Sequence, residues 1–219
     1  IDSLKREDFV NYFSSRYFDG DTVIAVAGKV TPEETKEKIV KYFDKIRGGV
    51  TKEPPKNIDD QNDFRLKIFN KKTDQTHINL GFRAYDRLHP KYETLTVLAS
   101  ILGGGMSSRL FEEVRQKRGL AYRIGSSDTG YLETGDFSTS AGLNSDNLIP
   151  ALKIILDEHR KISKELVTEK ELTRIKDYAK GRLAIGLETS DAQAVFYGEQ
   201  ELLENRILTP EERFEKIMV

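Results

Sequence analysis

Histidine spacing decides whether this chain can hold a catalytic metal. The chain has three histidines, His77, His89 and His159, which are far apart in sequence. Neither His-Glu-x-x-His nor His-x-x-Glu-His occurs, although that spacing brings two imidazoles to one side of a helix. His89 and Glu93 are four residues apart, but one imidazole with one carboxylate is a poor zinc ligand set. We therefore predict no catalytic metal on this chain, with all three histidines at the surface.

The sequence also lacks the motifs of nucleophilic catalysis and of phosphate binding. The chain has no cysteine, and neither Ser107 nor Ser108 lies in a Gly-x-Ser-x-Gly elbow. The run Gly103-Gly104-Gly105 precedes a helix start, as a phosphate loop does, but it lacks the Gly-Lys-Ser/Thr ending that grips phosphates. On local grounds the glycines predict a flexible hinge between two packed helices.

The composition limits the classes of partner. The chain has 219 residues, a formal net charge of −1 and 32% charged residues, which argues against a general nucleic-acid binder because phosphate neutralisation needs a basic surplus. No apolar run has the length of a membrane span. The absence of cysteine is typical of a reducing compartment, so we expect a cytoplasmic location. Ile1 at the start and a last helix that stops abruptly at Met218-Val219 suggest a piece of a longer chain.

Helices are expected wherever apolar residues recur at helical spacing after a capping signal. The best signals are Thr31-Pro32-Glu33-Glu34 and Thr209-Pro210-Glu211-Glu212, in which a threonine precedes a proline at the first helical position. The predicted helices cover residues 5–17, 32–43, 90–101, 110–115, 148–162, 172–187, 192–203 and a last stretch from 210.

Strands are expected where apolar residues alternate or form short buried runs. These are residues 22–28, 64–68, 76–82, 121–128 and 135–143. Closely spaced strand pairs favour hairpins, so the sequence predicts an α+β fold: a largely antiparallel sheet of about five to six strands with helices packed on one face. We expect one domain over residues 1–219, with a linker at about 47–62, where Gly, Pro, Lys and Asp dominate.

The stretch from Gly103 to Tyr122 reads GGGMSSRLFEEVRQKRGLAY. It closely resembles the glycine-loop, Ser-Arg-Leu-Phe, Val-Arg and Gly-Leu-Ala-Tyr signature of the pitrilysin and mitochondrial-processing-peptidase family of zinc metallopeptidases, the inverzincins. The segments at 21–34, 166–172 and 186–189 are similar to the family in the same order. The chain thus resembles the carboxy-terminal half, which does not bind the metal.

This resemblance implies a division of labour between two similar halves around a closed chamber. The other half, an amino-terminal domain or a partner subunit, would hold the zinc, and the parent would be a dimer that hydrolyses peptides. Arg115 and Tyr122 match the Val-Arg-x₆-Tyr residues that reach across to the substrate, so both are candidate catalytic residues. Gly103, Gly104, Gly105 and Ser107 match a loop that handles substrate. This chain alone should be inactive.

Other interpretations of the same residues remain open at this point. Tyr122 could be a core aromatic at a strand start, and Arg115 could merely favour the negative end of its helix dipole. The chain could also be a non-catalytic peptide-binding or assembly subunit of the same fold, since some family members lack the metal ligands. An unrelated α+β ligand-binding domain would require the signature to be a coincidence.

Overall fold

The computed structural model describes residues 2–51 and 56–218. These residues form two compact units. The helical unit contains residues 2–51, 56 and 184–210, and the sheet unit contains residues 57–183 and 211–218. Within the described ranges, no helix combines the length and the apolar composition that a membrane span requires.

The helical unit contains three α-helices: α1 Arg6–Arg16, α2 Pro32–Phe43 and α6 Ser190–Glu204. Helix α2 begins as predicted, because the Thr31 hydroxyl accepts a hydrogen bond from the Glu34 amide at 3.3 Å. The predicted strand at 22–28 does not form, and this stretch has no regular secondary structure. An apolar run favours extended backbone, but a strand also needs a neighbouring strand to hydrogen-bond with.

The sheet unit is built on three antiparallel strands in the order β1-β3-β2. The strands are β1 Thr76–Ala84, β2 Ala121–Gly130 and β3 Gly135–Leu143. The helices of the unit are α3 Tyr92–Gly103, a π-helix at Phe111–Gln116, α4 Leu148–Lys164, most of α5 Glu169–Gly186, and α7 Pro210–Met218. The α+β class and the antiparallel sheet are therefore confirmed.

The predicted count of five to six strands is not confirmed, because the described residues form a sheet of three. Besides 22–28, the expected strand at 64–68 is missing. Its alternating side chains Phe64, Leu66 and Ile68 are exposed. Alternation specifies which side chains share a face, whereas pairing depends on residues elsewhere in the chain.

One face of the sheet, the packed face, is covered by helices. Ile78, Ala141 and Ile124 lie directly opposite one another across the three strands and point to this face. They join a hydrophobic core with side chains from α3, the π-helix and α4. Its fully buried members are Leu102, Leu110, Val114, Leu143, Ala151 and Ile155.

The opposite face, called the open face below, carries only small, polar or charged side chains. The register places four residues of each strand there: His77, Asn79, Gly81 and Arg83 of β1, Asp136, Ser138, Ser140 and Gly142 of β3, and Arg123, Gly125, Ser127 and Thr129 of β2. All but Gly142 are exposed or partly exposed. The strands therefore separate a packed side from a side that can meet a ligand.

Candidate functional site

The glycine run at the end of α3 is enclosed by its neighbours. A Cβ atom on Gly103 would lie 2.0 Å from the backbone nitrogen of Ser126 in β2. On Gly104 it would lie 2.6 Å from the Cα of Ser100, and on Gly105 3.1 Å from the hydroxyl of Tyr178. None of the three glycines has a positive φ. Gly103 and Gly104 are therefore required by close backbone approach, and Gly105 is crowded by the Tyr178 side chain, which differs from the flexible hinge that the sequence suggested.

Helix α5 holds the glycine run in place through two polar contacts. The Tyr178 hydroxyl donates to the carbonyl oxygen of Gly104 at 2.9 Å. The Arg109 guanidinium donates from Nε and Nη2 to the two carboxylate oxygens of Glu171, at 2.8 and 2.7 Å. The Arg109 and Glu171 side chains are only 19% and 16% exposed, and the hydrogen bonds from Arg109 lower the pKa of Glu171 below its usual value. Such bidentate pairs fix orientation as well as distance.

Two serines that follow the glycines have different environments. Ser108 is buried, and its hydroxyl donates back to the carbonyl oxygen of Gly105 at 2.6 Å. Ser107 and the neighbouring Met106 are exposed at the tip of the turn. Ser107 is therefore the serine of this turn whose side chain a ligand can reach.

Arg115 lies on the π-helix, whose wider turn is shown by the hydrogen bond from the Lys117 amide to the Glu112 carbonyl. Its guanidinium carbon lies 4.9 Å from the centre of the Phe111 ring, a cation–π distance. Lys117 and Arg118 both pair with the Glu113 carboxylate. Arg115 is exposed and has no ion pair among the described residues. Short π-helices are frequent at functional sites.

A tight turn connects the π-helix directly to β2. The Gly119 amide donates to the Arg115 carbonyl at 3.0 Å, and the Leu120 amide donates to the Val114 carbonyl at 2.9 Å. Gly119 has φ +61°, a left-handed conformation that glycine adopts without steric cost. The turn therefore ties the backbone of Arg115 to the residues just before Tyr122.

Tyr122 is the extra residue of a β-bulge. Ala121 pairs with Leu143 and Arg123 pairs with Gly142, so Tyr122 has no partner on β3. In a regular strand Tyr122 and Arg123 would point to opposite faces. Here both are exposed, while Ala121 and Ile124 are both buried. Bulges re-aim side chains in this way, often beside active sites.

The Tyr122 side chain is available to a ligand. It is 58% exposed, and its hydroxyl has no hydrogen-bond partner within the part of the chain that the structure describes. This excludes the alternative that Tyr122 is a core aromatic. The only hint of the bulge in the sequence is Ala-Tyr-Arg-Ile, where the apolar residues are three apart and not two.

The histidines are not brought together. Among the described residues, no cluster of three or more His, Asp or Glu side chains could hold a metal ion. His77 is exposed as predicted. His89 is partly buried, and its ring stacks on Tyr85 with 3.9 Å between the ring centres.

The prediction that His159 faces solvent is wrong. Its ring is half-buried between Phe82 and Phe137, with centres at 5.3 and 5.7 Å. Its Nε2 atom lies 3.0 Å from the Thr139 hydroxyl. Burial lowers the pKa of His159, because desolvation disfavours the charged imidazolium. His159 is thus a structural residue of the packed face.

Comparison with known proteins places this geometry in a family. The chain is 30% identical to uncharacterized zinc proteases of Streptomyces coelicolor and Bacillus subtilis. Each match covers 92% of this chain, but only 45% and 48% of the respective relative. The chain therefore spans about half the length of the curated relatives it matches.

Solved structures share the fold at lower identity. A peptidase M16 inactive domain from Pseudomonas fluorescens has a TM-score of 0.79 and 22% identity, covering 99% of this chain and 52% of that chain. A protease from Helicobacter pylori has a TM-score of 0.75 and 22% identity, covering 88% and 47%. Residues 3–178 match the sequence family described as the peptidase M16 inactive domain. The chain belongs to this family.

Proposed function

We propose that this chain is the substrate-binding half of a zinc metalloendopeptidase and that Arg115 and Tyr122 act on the peptide being cleaved. The observation that carries the proposal is that both side chains are exposed and make no ion pair or side-chain hydrogen bond in the described structure, on two elements joined by one tight turn. The curated relatives are named zinc proteases, which supports hydrolysis as the parent activity.

The described residues of this chain do not fit a zinc site, because no metal-binding cluster occurs among them. We propose that the metal is held by a second domain, in the same chain or in a partner subunit, and that the parent is a dimer. The matched relatives are about twice as long as this chain, which leaves room for such a domain. Within this chain itself, we propose residues 47–62 as a linker, of which residues 52–55 lie outside the described residues.

The chemistry follows from the donors that the two residues offer. Peptide hydrolysis places negative charge on the carbonyl oxygen of the cleaved bond. The Tyr122 hydroxyl can donate a hydrogen bond to that oxygen, and the Arg115 guanidinium can donate to it or to a neighbouring carbonyl. Within the described structure Tyr122 makes no side-chain hydrogen bond and Arg115 makes no ion pair, so the one internal contact that substrate binding could displace is that of Arg115 with the Phe111 ring.

We propose that the glycine run and Ser107 also contact the bound peptide. The run cannot shift freely, because α5 holds it through Tyr178 and through the Arg109–Glu171 pair. Because the glycine run is already ordered, little of its conformational entropy is lost when an extended peptide binds. Ser107 supplies an exposed hydroxyl there.

The test is Tyr122→Phe in the full-length protein, measured as peptide hydrolysis together with zinc content. Loss of one oxyanion donor should reduce turnover about 10²–10³-fold, with zinc content and folding unchanged. Tyr131→Phe is the matched control, because Tyr131 is also 58% exposed and lies in the β2–β3 turn. Equal turnover in the two variants would reject the role of Tyr122. A wild type with no hydrolysis at all would favour the non-catalytic subunit.

A further inference from the structure

Arg123 and His77 occupy matching positions at one end of the open face. Gly142 of the central strand pairs with His77 on one side and with Arg123 on the other. Residues directly opposite one another in a sheet point to the same face. With neighbouring strands about 4.8 Å apart, the two backbone positions are about 10 Å from each other.

Gly142 leaves space above the central strand, and the His77 side chain extends into it. A Cβ atom on Gly142 would lie 3.2 Å from Cε1 of His77 and 3.5 Å from Oε1 of Gln75. The His77 imidazole therefore leans from β1 over the central strand, in the direction of β2 and Arg123. A larger residue at position 142 would occupy this space.

The two arginines of the open face differ in their ion pairs and hydrogen bonds. Arg83, at the other end, pairs with the Asp59 carboxylate and donates to the Gln61 carbonyl at 2.6 Å. It also lies opposite Asp136 in the register. Arg123 is exposed and makes no ion pair or side-chain hydrogen bond with any residue that the structure describes. Its positive charge is therefore not compensated.

No acidic side chain of the open face lies near Arg123. Asp136 is the one carboxylate among the twelve described residues of this face. It lies six positions along β3 from Gly142, which is about 20 Å in a strand. Among the strand residues of this face, Arg123 is therefore the charged side chain at this end, and the nearest carboxylates along the chain, Asp74 and Asp146, lie beyond the ends of β1 and β3.

We propose that Arg123 and His77 form a subsite for an acidic side chain, Glu or Asp, of the peptide substrate. This rests on the proposed function, and it adds a substrate preference to it. A guanidinium offers paired donors that match a carboxylate. Because the bulge exposes Arg123 beside Tyr122, the acidic residue lies within about three positions of the cleaved bond, at about 3.3 Å per extended residue.

The expected selectivity is modest because the site is exposed. Ion pairs in contact with solvent contribute little, so we expect about a two- to fivefold preference for a peptide with Glu over the same peptide with Gln. The preference should decrease as the ionic strength rises.

The experiment measures binding and cleavage of paired fluorescent peptides by the full-length protein. Each pair differs only by Glu or Gln at one of the three positions on either side of the cleaved bond. Binding is followed by fluorescence anisotropy after treatment with a metal chelator, so that the peptide stays intact. Arg123→Gln should abolish the Glu preference. Arg160→Gln should retain it, because Arg160 is an exposed arginine on α4, beyond the packed face.

The outcomes separate this proposal from the proposed function. No Glu preference in the wild type, or an equal preference in Arg123→Gln, would overturn the subsite whether or not peptides are cleaved. A Glu preference in binding that is lost in Arg123→Gln, without any cleavage by the untreated wild type, would support the subsite and reject the hydrolytic function. A reversal towards Lys peptides in Arg123→Glu would further support it.

Discussion

The two faces of the three-stranded sheet use the same strands for different purposes. On the packed face, buried side chains such as Ile124 and Ala141 contact α3 and α4. On the open face, the side chains are small or polar, and Arg123 has no described partner. The first arrangement stabilises the unit, whereas the second leaves hydrogen-bonding groups free for a ligand.

The bulge at Tyr122 allows one strand both to fill the core and to present polar side chains to solvent. An extra residue lets Ala121 and Ile124 both remain in the core while Tyr122 and Arg123 both face outward. Without the bulge, strict alternation would bury one of the two polar side chains. Substitutions on the packed face should therefore change stability, and those on the open face should change ligand binding.

The largest expected effect is on the packed face. Leu102 of α3 is 0% exposed, so Leu102→Ala removes buried methyl groups and leaves a cavity. We expect the free energy of unfolding to fall by about 3 kcal/mol, measured by urea unfolding. Leu166→Ala is the control with the same chemistry, because Leu166 is 97% exposed and should change stability by less than about 0.5 kcal/mol. Similar losses in both variants would contradict the assignment of Leu102 to the core.

The sequence predicted the parts of this fold that depend on local pattern. The helix start at Thr31 and the hairpin of β2 and β3 were both confirmed, since capping and alternation act over a few residues. The strands expected at 22–28 and 64–68 did not form. Their apolar patterns specify extended backbone, but strand pairing depends on distant residues that a local pattern does not identify.

The sequence likewise predicted those parts of the candidate site that lie within one continuous motif. The motif indicated Arg115 and Tyr122, and the structure shows both exposed. The contact of Arg109 with Glu171 spans 62 residues and has no local signal. The role of Arg123 depends on the bulge and on the register with Gly142 and His77, which appear only when the strands are paired.

A second prediction concerns the contact that holds the glycine run behind the site. Glu171→Gln keeps the shape of the side chain but leaves the Arg109 charge unpaired in a mostly buried position. We expect a loss of about 2 kcal/mol at neutral pH. Because the folded-state pKa of Glu171 lies below its usual value of 4.5, the wild-type advantage is present above that value and decreases as the pH falls below it.

The measurement compares unfolding of wild type and Glu171→Gln from pH 7 down to pH 3. The difference in free energy between them should shrink below about pH 4.5, as Glu171 becomes protonated in the unfolded wild type. Glu113, whose pKa is lowered to about 2 by Lys117 and Arg118, titrates in both proteins and cancels in the difference. A difference that is constant with pH would show that the Arg109–Glu171 charge pair is not its origin.

The smallest expected effect comes from making the same substitution, Thr to Val, on each face of the sheet. Thr139 on the packed face is 1% exposed, and its hydroxyl contacts Ser126 Oγ at 2.7 Å and His159 Nε2 at 3.0 Å. Thr139→Val leaves both polar groups without this partner, which should cost about 1 kcal/mol. Thr129→Val makes the same change on the exposed side of β2 and should be neutral, because water replaces the lost contacts and valine favours strands. Equal losses at the two positions would mean that the faces do not differ in this way.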